Sequence, residues 1–381
     1  MKILAVLIFS FLMLFISCQS AAPKLENLGK AGPIELKRQR IAIQLDEHSL
    51  PSYQVFAHFE RNQRSMLYGY NPNTKQLDIF NLNTQLVEGH LPLDKIIDAA
   101  DIQLEQIFVF RETDIFLFGE GQLLRINRQG ELQEHHSVQN SWNDAGLQGT
   151  PTLSANFGLE YLPEQDSVLF YCQYPLEELN PSLSVIAKYR LADRSWELLP
   201  INHLDEVVQA AELAGQMIEL VKGNQFDNEN LWFGYLYDSA ISKFSLVDQS
   251  IQMKAPRNDG GMMMHLPTET NNTNLLQAHF MLNPQYFKPL SHPDSSFIFR
   301  PYWKAMDLNE IQEKQLTDKR LYISIFNEEG NYLSEFPMEP YRYGINKWFA
   351  GSKGLYILVD HPRNFNSNER FLNIDLLQAA L

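Results

Sequence analysis

The chain has 381 residues, a formal net charge of −15 and 44% hydrophobic residues, enough apolar content for one large β domain or two smaller ones. An acidic chain with no Lys/Arg stripe lacks the basic surface that displaces counterions from a polyanion, so no nucleic-acid partner is expected. The acid excess is read as a solubility feature.

The N-terminus carries an address. Lys2 precedes a nearly unbroken apolar run, residues 3–16, interrupted only by Ser10. An untilted membrane span needs about 20 residues, so this run reads as an export signal. It ends Phe15-Ile16-Ser17-Cys18, and a small residue directly before a cysteine resembles a bacterial lipobox, with Phe15 where Leu is usual. The resemblance implies that residues 1–17 are a signal peptide and that Cys18 is lipidated, holding the protein to a membrane. Cys172 is then the remaining thiol, in the apolar run 168–172, and one thiol makes no internal disulfide. Residues 19–24 carry no acidic run. In Bacteroidota lipoproteins such a run resembles a surface-export tag, so its absence favours the periplasmic face. Residues 18–39, with Pro23, Gly32 and Pro33, read as a lipidated tether, and 40–381 as a single folded domain.

Residues 40–45 alternate cleanly and predict the first strand. Runs 65–70 and 77–82 predict a hairpin around an Asn/Pro turn at 71–75. Residues 92–100 suit one helical turn or a loop. Runs 106–110, 115–118, 122–126 and 131–133 follow, a strand density matching one propeller blade. A long polar loop at 135–156 leads to strands at 167–172, 184–190, 196–199, 230–235, 241–246 and 251–253. Further strands are expected at 297–300, 321–326, 347–350, 354–359 and 371–375. Two segments break the β pattern, a helix candidate at 204–221 and a shorter one at 306–316.

Polar turns start near 71, 127, 192, 247 and 327, and a sixth unit lies after 340. Residues 40–381 divided by six give 57 per unit, above the roughly 40–50 of compact propeller repeats, with the surplus in loops. The expected fold is all-β, a six-bladed β-propeller with short helical insertions. Residues 41–45 are the natural strand to close the ring against the last blade. A β-sandwich with long loops, or two β domains, is the alternative.

The lipobox, the Tyr-Asn-Pro-Asn-Thr hairpin at 70–74, and the ending Lys347-Trp348-Phe349, Gly354-Leu355-Tyr356-Ile357, His361-Pro362 and Asn366 together resemble an uncharacterised family. It comprises Bacteroidota lipoproteins with a TolB-like six-bladed propeller domain of unknown function. The resemblance implies fold and address, and carries no catalytic residues.

Motifs for phosphate loops, dinucleotide binding, nucleophile elbows and zinc sites are absent from the sequence, so no cofactor or metal is expected. Adjacent His135 and His136 read as solvated loop residues pointing apart. His265, His279 and His292 could converge at one end of a funnel. The loop 257–266 holds three consecutive methionines, adaptable side chains suited to gap filling or to gripping a ligand, which makes Met263 and His265 ligand-binding candidates. Arg300, Tyr302 and Trp303 form a second candidate set, an aromatic and cationic platform for a sugar or acid. Tyr302 and Trp303 follow Pro301 and read as exposed. The leading expectation is a non-enzymatic envelope binding or scaffold module with a protein or glycan partner. The alternative is an envelope hydrolase or lyase acting on carbohydrate, with a site dispersed over the channel.

Overall fold

The computed structural model describes residues 34–380 apart from 155, 176–177, 179, 181, 203–219, 227–228, 237, 254–279, 308, 310–313 and 365–368. β1 (Glu35–Gln44) opens the fold. Blade 1 is β2 (Phe56–Arg61), β3 (Arg64–Asn71), β4 (Gln76–Asn81) and β5 (Leu86–Pro92), followed by the helix α1 (Asp94–Ala100). Blade 2 is β6 (Gln106–Arg111), β7 (Asp114–Gly119), β8 (Gln122–Ile126) and β9 (Leu132–Ser137), followed by α2 (Val138–Asp144).

In blade 3 the innermost position is shared by β10 (Thr150–Thr152) and β11 (Glu160–Leu162), which pair with opposite ends of β12 (Ser167–Gln173). β13 (Ile186–Arg190) and β14 (Trp196–Leu198) complete it. Blade 4 is β15 (Leu220–Phe226), β16 (Asn230–Tyr235), β17 (Ser242–Ser245) and β18 (Ile251–Met253). Blade 5 is β19 (Gln285–Tyr286), β20 (Phe297–Trp303), β21 (Leu321–Asn327) and β22 (Tyr332–Pro337). Blade 6 takes β23 (Trp348–Gly351), β24 (Gly354–Leu358) and β25 (Phe371–Ala380) from the end of the chain, and β1 from its beginning.

Six antiparallel sheets arranged in this way make a six-bladed β-propeller. β1 pairs with β25 from Glu35 opposite Ala380 to Gln44 opposite Phe371, so the ring closes with the strand expected to close it. That strand begins at Glu35, five residues before the expected start. Closure removes a free edge that would otherwise recruit another chain.

Side-chain chemistry fixes the turns between third and fourth strands. In blade 1 the backbone N–H of Asn83 donates to the Asn81 side chain at 3.0 Å, and Gln85 takes a left-handed φ of 58°. Arg194 and Gln249 take the same left-handed step at φ 58° and 55°, beside Asp193–Ser195 and Asp248–Ser250 contacts. Blades 2 and 5 use Asn127 and Asn327 with Gly130 and Gly330 at φ 75° and 80°. Short Asx side chains that satisfy local N–H groups and a residue tolerant of positive φ are what such turns require.

The turn at 71–75 belongs elsewhere. It joins β3 to β4, and the true counterpart of the later turns is the near-identical Asn81-Leu82-Asn83-Thr84-Gln85 ten residues on. Both repeats carry the Asn side-chain contact and a left-handed fifth residue, which is why the first could stand in for the second. β5, which follows the second repeat, is not among the strands expected from the sequence. The expected loop at 135–156 contains the end of β9, all of α2 and β10. α2 is built from weak helix formers and is held by burial of Val138 and Trp142 rather than propensity. Residues 92–100 resolve to α1. Of the helix candidate at 204–221, residues 203–219 lie outside the described residues and Leu220 and Val221 belong to β15. Of the candidate at 306–316, Met306 and Asp307 are not helical, Leu316 opens a 3-10 turn and 310–313 lie outside the described residues.

Candidate binding site at the propeller axis

Innermost strands of five blades meet around one cavity of about 150 Å³. β2 contributes Phe56, Ala57 and His58, and β6 contributes Gln106, Ile107 and Phe108. Gly158 and Leu159 enter just before β11, Lys288 just after β19, and Trp348, Phe349 and Ala350 from β23. Only the axis of a propeller is shared by so many first strands, so this cavity is part of the central channel.

Among the described residues, Lys288 is the single charged side chain lining it. Burial holds its ammonium below the usual lysine range, and the charge of Glu160 opposes that effect without cancelling it. Gln106 reaches the same place: a Cβ built on Gly158 would sit 3.6 Å from Gln106 Oε1 and 3.9 Å from Lys288 Nζ. The indole N–H of Trp348, a residue only 1% exposed, has no hydrogen-bond partner among the described residues.

A larger pocket of about 580 Å³ shares Gln54 and Val55 with the channel cavity. It is formed by the segment entering β2, the β3–β4 turn and α1 with the residues after it. Leu50, Val55, Ile97, Ile102, Leu104 and Pro72 supply apolar surface, while Ser52, Gln54, Gln103, Asp101 and the Lys75–Asp98 ion pair supply polar groups. Tyr53, 1% exposed, and the half-buried Tyr70 complete the lining. The Tyr53 ring is fixed: its hydroxyl donates to Asp78 at 2.6 Å and accepts from the Leu50 N–H at 2.8 Å. It lies on β3 at Gly69, where a Cβ would come within 2.5 Å of the ring. A concave, mostly apolar surface of a few hundred Å³ with a few placed polar groups is the general form of a small-molecule site.

Further along β2, Glu60 gathers a polar cluster. Its carboxylate accepts from the Ser352 N–H at 2.9 Å and from the Ser352 hydroxyl, and it lies 3.9 Å from His58 Nε2 and 3.8 Å from His292 Nε2. His58 stacks on Phe349 at 4.5 Å and shares a 2.8 Å hydrogen bond with Ser65. Burial pulls the His58 imidazole down to about 4, so it is neutral at pH 7, while burial of Glu60 is outweighed by its hydrogen bonds to Ser352, which hold it ionised. No group of three His, Cys, Asp or Glu side chains among the described residues is set to hold a metal. His292 reaches this cluster, whereas His265 and His279 lie outside the described residues.

The expected aromatic platform is interior. Tyr302 and Trp303 are 4% and 6% exposed, and Arg300 is fully buried. β20 runs through Pro301 because the carbonyl of that residue faces the short strand β19 side, where it accepts from the Phe287 N–H at 2.9 Å. The missing proline N–H faces the same side, at the end of a two-residue strand, and breaks no long ladder. Tyr302 stacks on Tyr286 at 5.0 Å. The Arg300 guanidinium donates to the carbonyls of Phe287 (3.1 Å), Tyr235 (3.0 Å) and Ala240, tying blade 4 to blade 5. Arg300 is a fastener between blades, not an exposed anion receptor. Met263, His265 and Cys18 lie outside the described residues. His135 and His136 lie on β9 rather than in a loop and point apart, one exposed and one buried.

Sequence reasoning missed Lys288. Its signal is a lone lysine in the apolar run Tyr286-Phe287-Lys288-Pro289-Leu290, which resembles an exposed interruption until the fold turns it toward the axis.

No family model matches the sequence, and no curated protein matches it. Solved structures do. A member of the DUF4221 family from Bacteroides vulgatus superposes with a TM-score of 0.73 at 16% identity, covering 91% of this chain and 98% of its own. A candidate exported protein from Bacteroides fragilis superposes with a TM-score of 0.52 at 11% identity, covering 91% of this chain and 95% of its own. At these identities the likeness is one of fold. Among the described residues, no helix is long and apolar enough to cross a membrane.

Proposed function

We propose that this chain is an exported lipoprotein, anchored through Cys18, whose TolB-like propeller is a binding module taking a small envelope ligand in the pocket between blade 1 and α1. The observation that carries the reading is that pocket: about 580 Å³, adjoining the channel cavity at Gln54 and Val55, with tyrosines beside amides, a hydroxyl and an ion pair. The half-buried Tyr70 ring suits stacking and the amides suit hydroxyl groups, so a glycan fragment is the favoured ligand class. The export reading draws on residues 1–18 and on the exported candidate among the similar folds.

Two measurements test it. Metabolic labelling with a clickable palmitate analogue is expected to mark the wild-type chain and to leave Cys18→Ala unmarked and released from the membrane fraction. Equilibrium dialysis against an envelope glycan extract is expected to show a compound retained by the wild type and lost by Gln103→Trp, which fills the pocket from an exposed position. Equal retention by both proteins removes the pocket from the proposal.

A further inference from the structure

The channel cavity differs in chemistry from the pocket between blade 1 and α1. Its lining brings together donors that the protein leaves unused. Among the described residues, Lys288 makes no hydrogen bond or ion pair and is the only charge on the cavity wall. The indole N–H of Trp348 is likewise unpartnered there. Lys288 is half-buried, and an ammonium partly withdrawn from water without a hydrogen-bond partner favours an anion beside it. The one opposing charge that acts on Lys288, Glu160, does not cancel the effect of burial; on the cavity wall His58 is neutral at pH 7, and the remaining polar members among the described residues are the amides of Gln54, Gln106 and Asn346.

Space is kept for an answer. Gly158 has no left-handed backbone angle that would demand glycine. What a side chain there would occupy is the gap in front of Lys288 Nζ and Gln106 Oε1, at 3.9 and 3.6 Å from its Cβ. At about 150 Å³ the cavity is well below the roughly 300–1,000 Å³ of drug-sized sites, so it suits a ligand of a few heavy atoms. One positive charge, an indole donor and adaptable amides select for a small size and a single negative charge.

We propose that the channel holds a compact monoanion, an inorganic ion such as chloride or a short carboxylate such as formate or acetate, bound to Lys288 over Gly158 with Gln106 and Trp348 beside it. The site adjoins the pocket between blade 1 and α1 at Gln54 and Val55, takes a different ligand and goes beyond the reading given above. It gives the acidic chain an internal cationic point at which inner strands of blades 2, 3, 5 and 6 meet.

The test is thermal unfolding of the purified full-length protein in detergent, in sodium gluconate, with chloride, formate or acetate titrated in at constant ionic strength. A saturable rise in Tm is expected with at least one small anion and not with further gluconate, which is too bulky to enter. Whichever arm responds tells an inorganic ion from a carboxylate. Lys288→Gln is expected to fold, because it removes a half-buried charge that makes no hydrogen bond among the described residues, and to lose the response. Gly158→Ala keeps the charge and puts a methyl group in the gap, and is expected to weaken the response at least tenfold in half-saturating concentration. If Lys288→Gln does not fold, Gly158→Ala decides. No saturable response in the wild type, or an equal one in the variants that fold, overturns the proposal.

Discussion

Arg342 grips Asp375 through two hydrogen bonds, Nε to Oδ2 at 2.7 Å and Nη2 to Oδ1 at 3.1 Å, beside the seam where β1 closes the ring. Asp375 is fully buried, faces Arg40 of β1 across the ladder and also accepts from the Tyr343 hydroxyl at 2.7 Å. Burial alone would raise its pKa, but the hydrogen bonds from Arg342 and Tyr343 outweigh it and hold it below the usual carboxylate range. Asp375→Ala leaves a guanidinium and a hydroxyl without their acceptor, and breaking such a buried pair costs about 3–5 kcal/mol. Urea unfolding is expected to show that loss, with Asp375→Asn intermediate.

Arg300 is expected to matter for stability and not for ligand binding. Arg300→Leu removes the guanidinium donors from the carbonyls of Phe287, Ala240 and Tyr235, of which Tyr235 keeps the Asp238 N–H, and leaving a buried carbonyl unsatisfied costs about 1–3 kcal/mol. Gly234→Ala tests the same fastener from the other side, because its Cβ would lie 2.6 Å from Arg300 Nη2. Denaturant midpoints are expected to fall in both variants. Normal stability in Arg300→Leu would contradict its role as a fastener between blades 4 and 5.

Two histidines give the stability profile opposite slopes. His58 is held near 4 in the folded state, against 6.5 for the free side chain. Between those values the unfolded chain takes a proton that the folded chain refuses, so the stabilisation is complete above pH 6.5 and is lost as pH falls toward 4. Its size is at most about 3 kcal/mol. Burial of His90 is outweighed by its hydrogen bonds to Asp78 and Asp46, which raise it above 6.5. Its contribution is complete below pH 6.5 and is lost as pH rises through the folded value. Urea midpoints across pH 4–9 are expected to flatten on the acid side in His58→Gln and on the alkaline side in His90→Gln.

Cys172 lies inside β12, fully buried, with its thiol pushed up to about 12 by burial. Thiolate is the reactive form, so Ellman's reagent is expected to find no fast thiol in the native protein and one after denaturation. Rapid native labelling would mean that blade 3 opens.

The propeller was legible because its units are written locally. Alternation in residues such as 106–126 and Asx turn chemistry at Asn127 and Asn327 need no distant contact to be read. Ring closure was legible for the same reason, since a clean lone strand at 41–45 needs a partner. Elements stabilised from a distance were hidden: α2 depends on the burial of Trp142, and β5 has a mostly solvated pattern at a sheet edge. The site was the least legible part. Tyr302 and Trp303 appeared to form a surface after Pro301, but β20 passes through the proline. Lys288, Gln106 and Gly158 come from three blades, and no sequence spacing joins residues that meet only at an axis.

The central claim is that the pocket beside Tyr53 and Tyr70 holds a small ligand in the cell envelope. Native mass spectrometry of wild type and Gln103→Trp, both purified from envelope fractions, tests it most directly. A defined extra mass on the wild type, released on denaturation and missing from Gln103→Trp, is the expected result. No such mass on either protein, or the same mass on both, would contradict the claim.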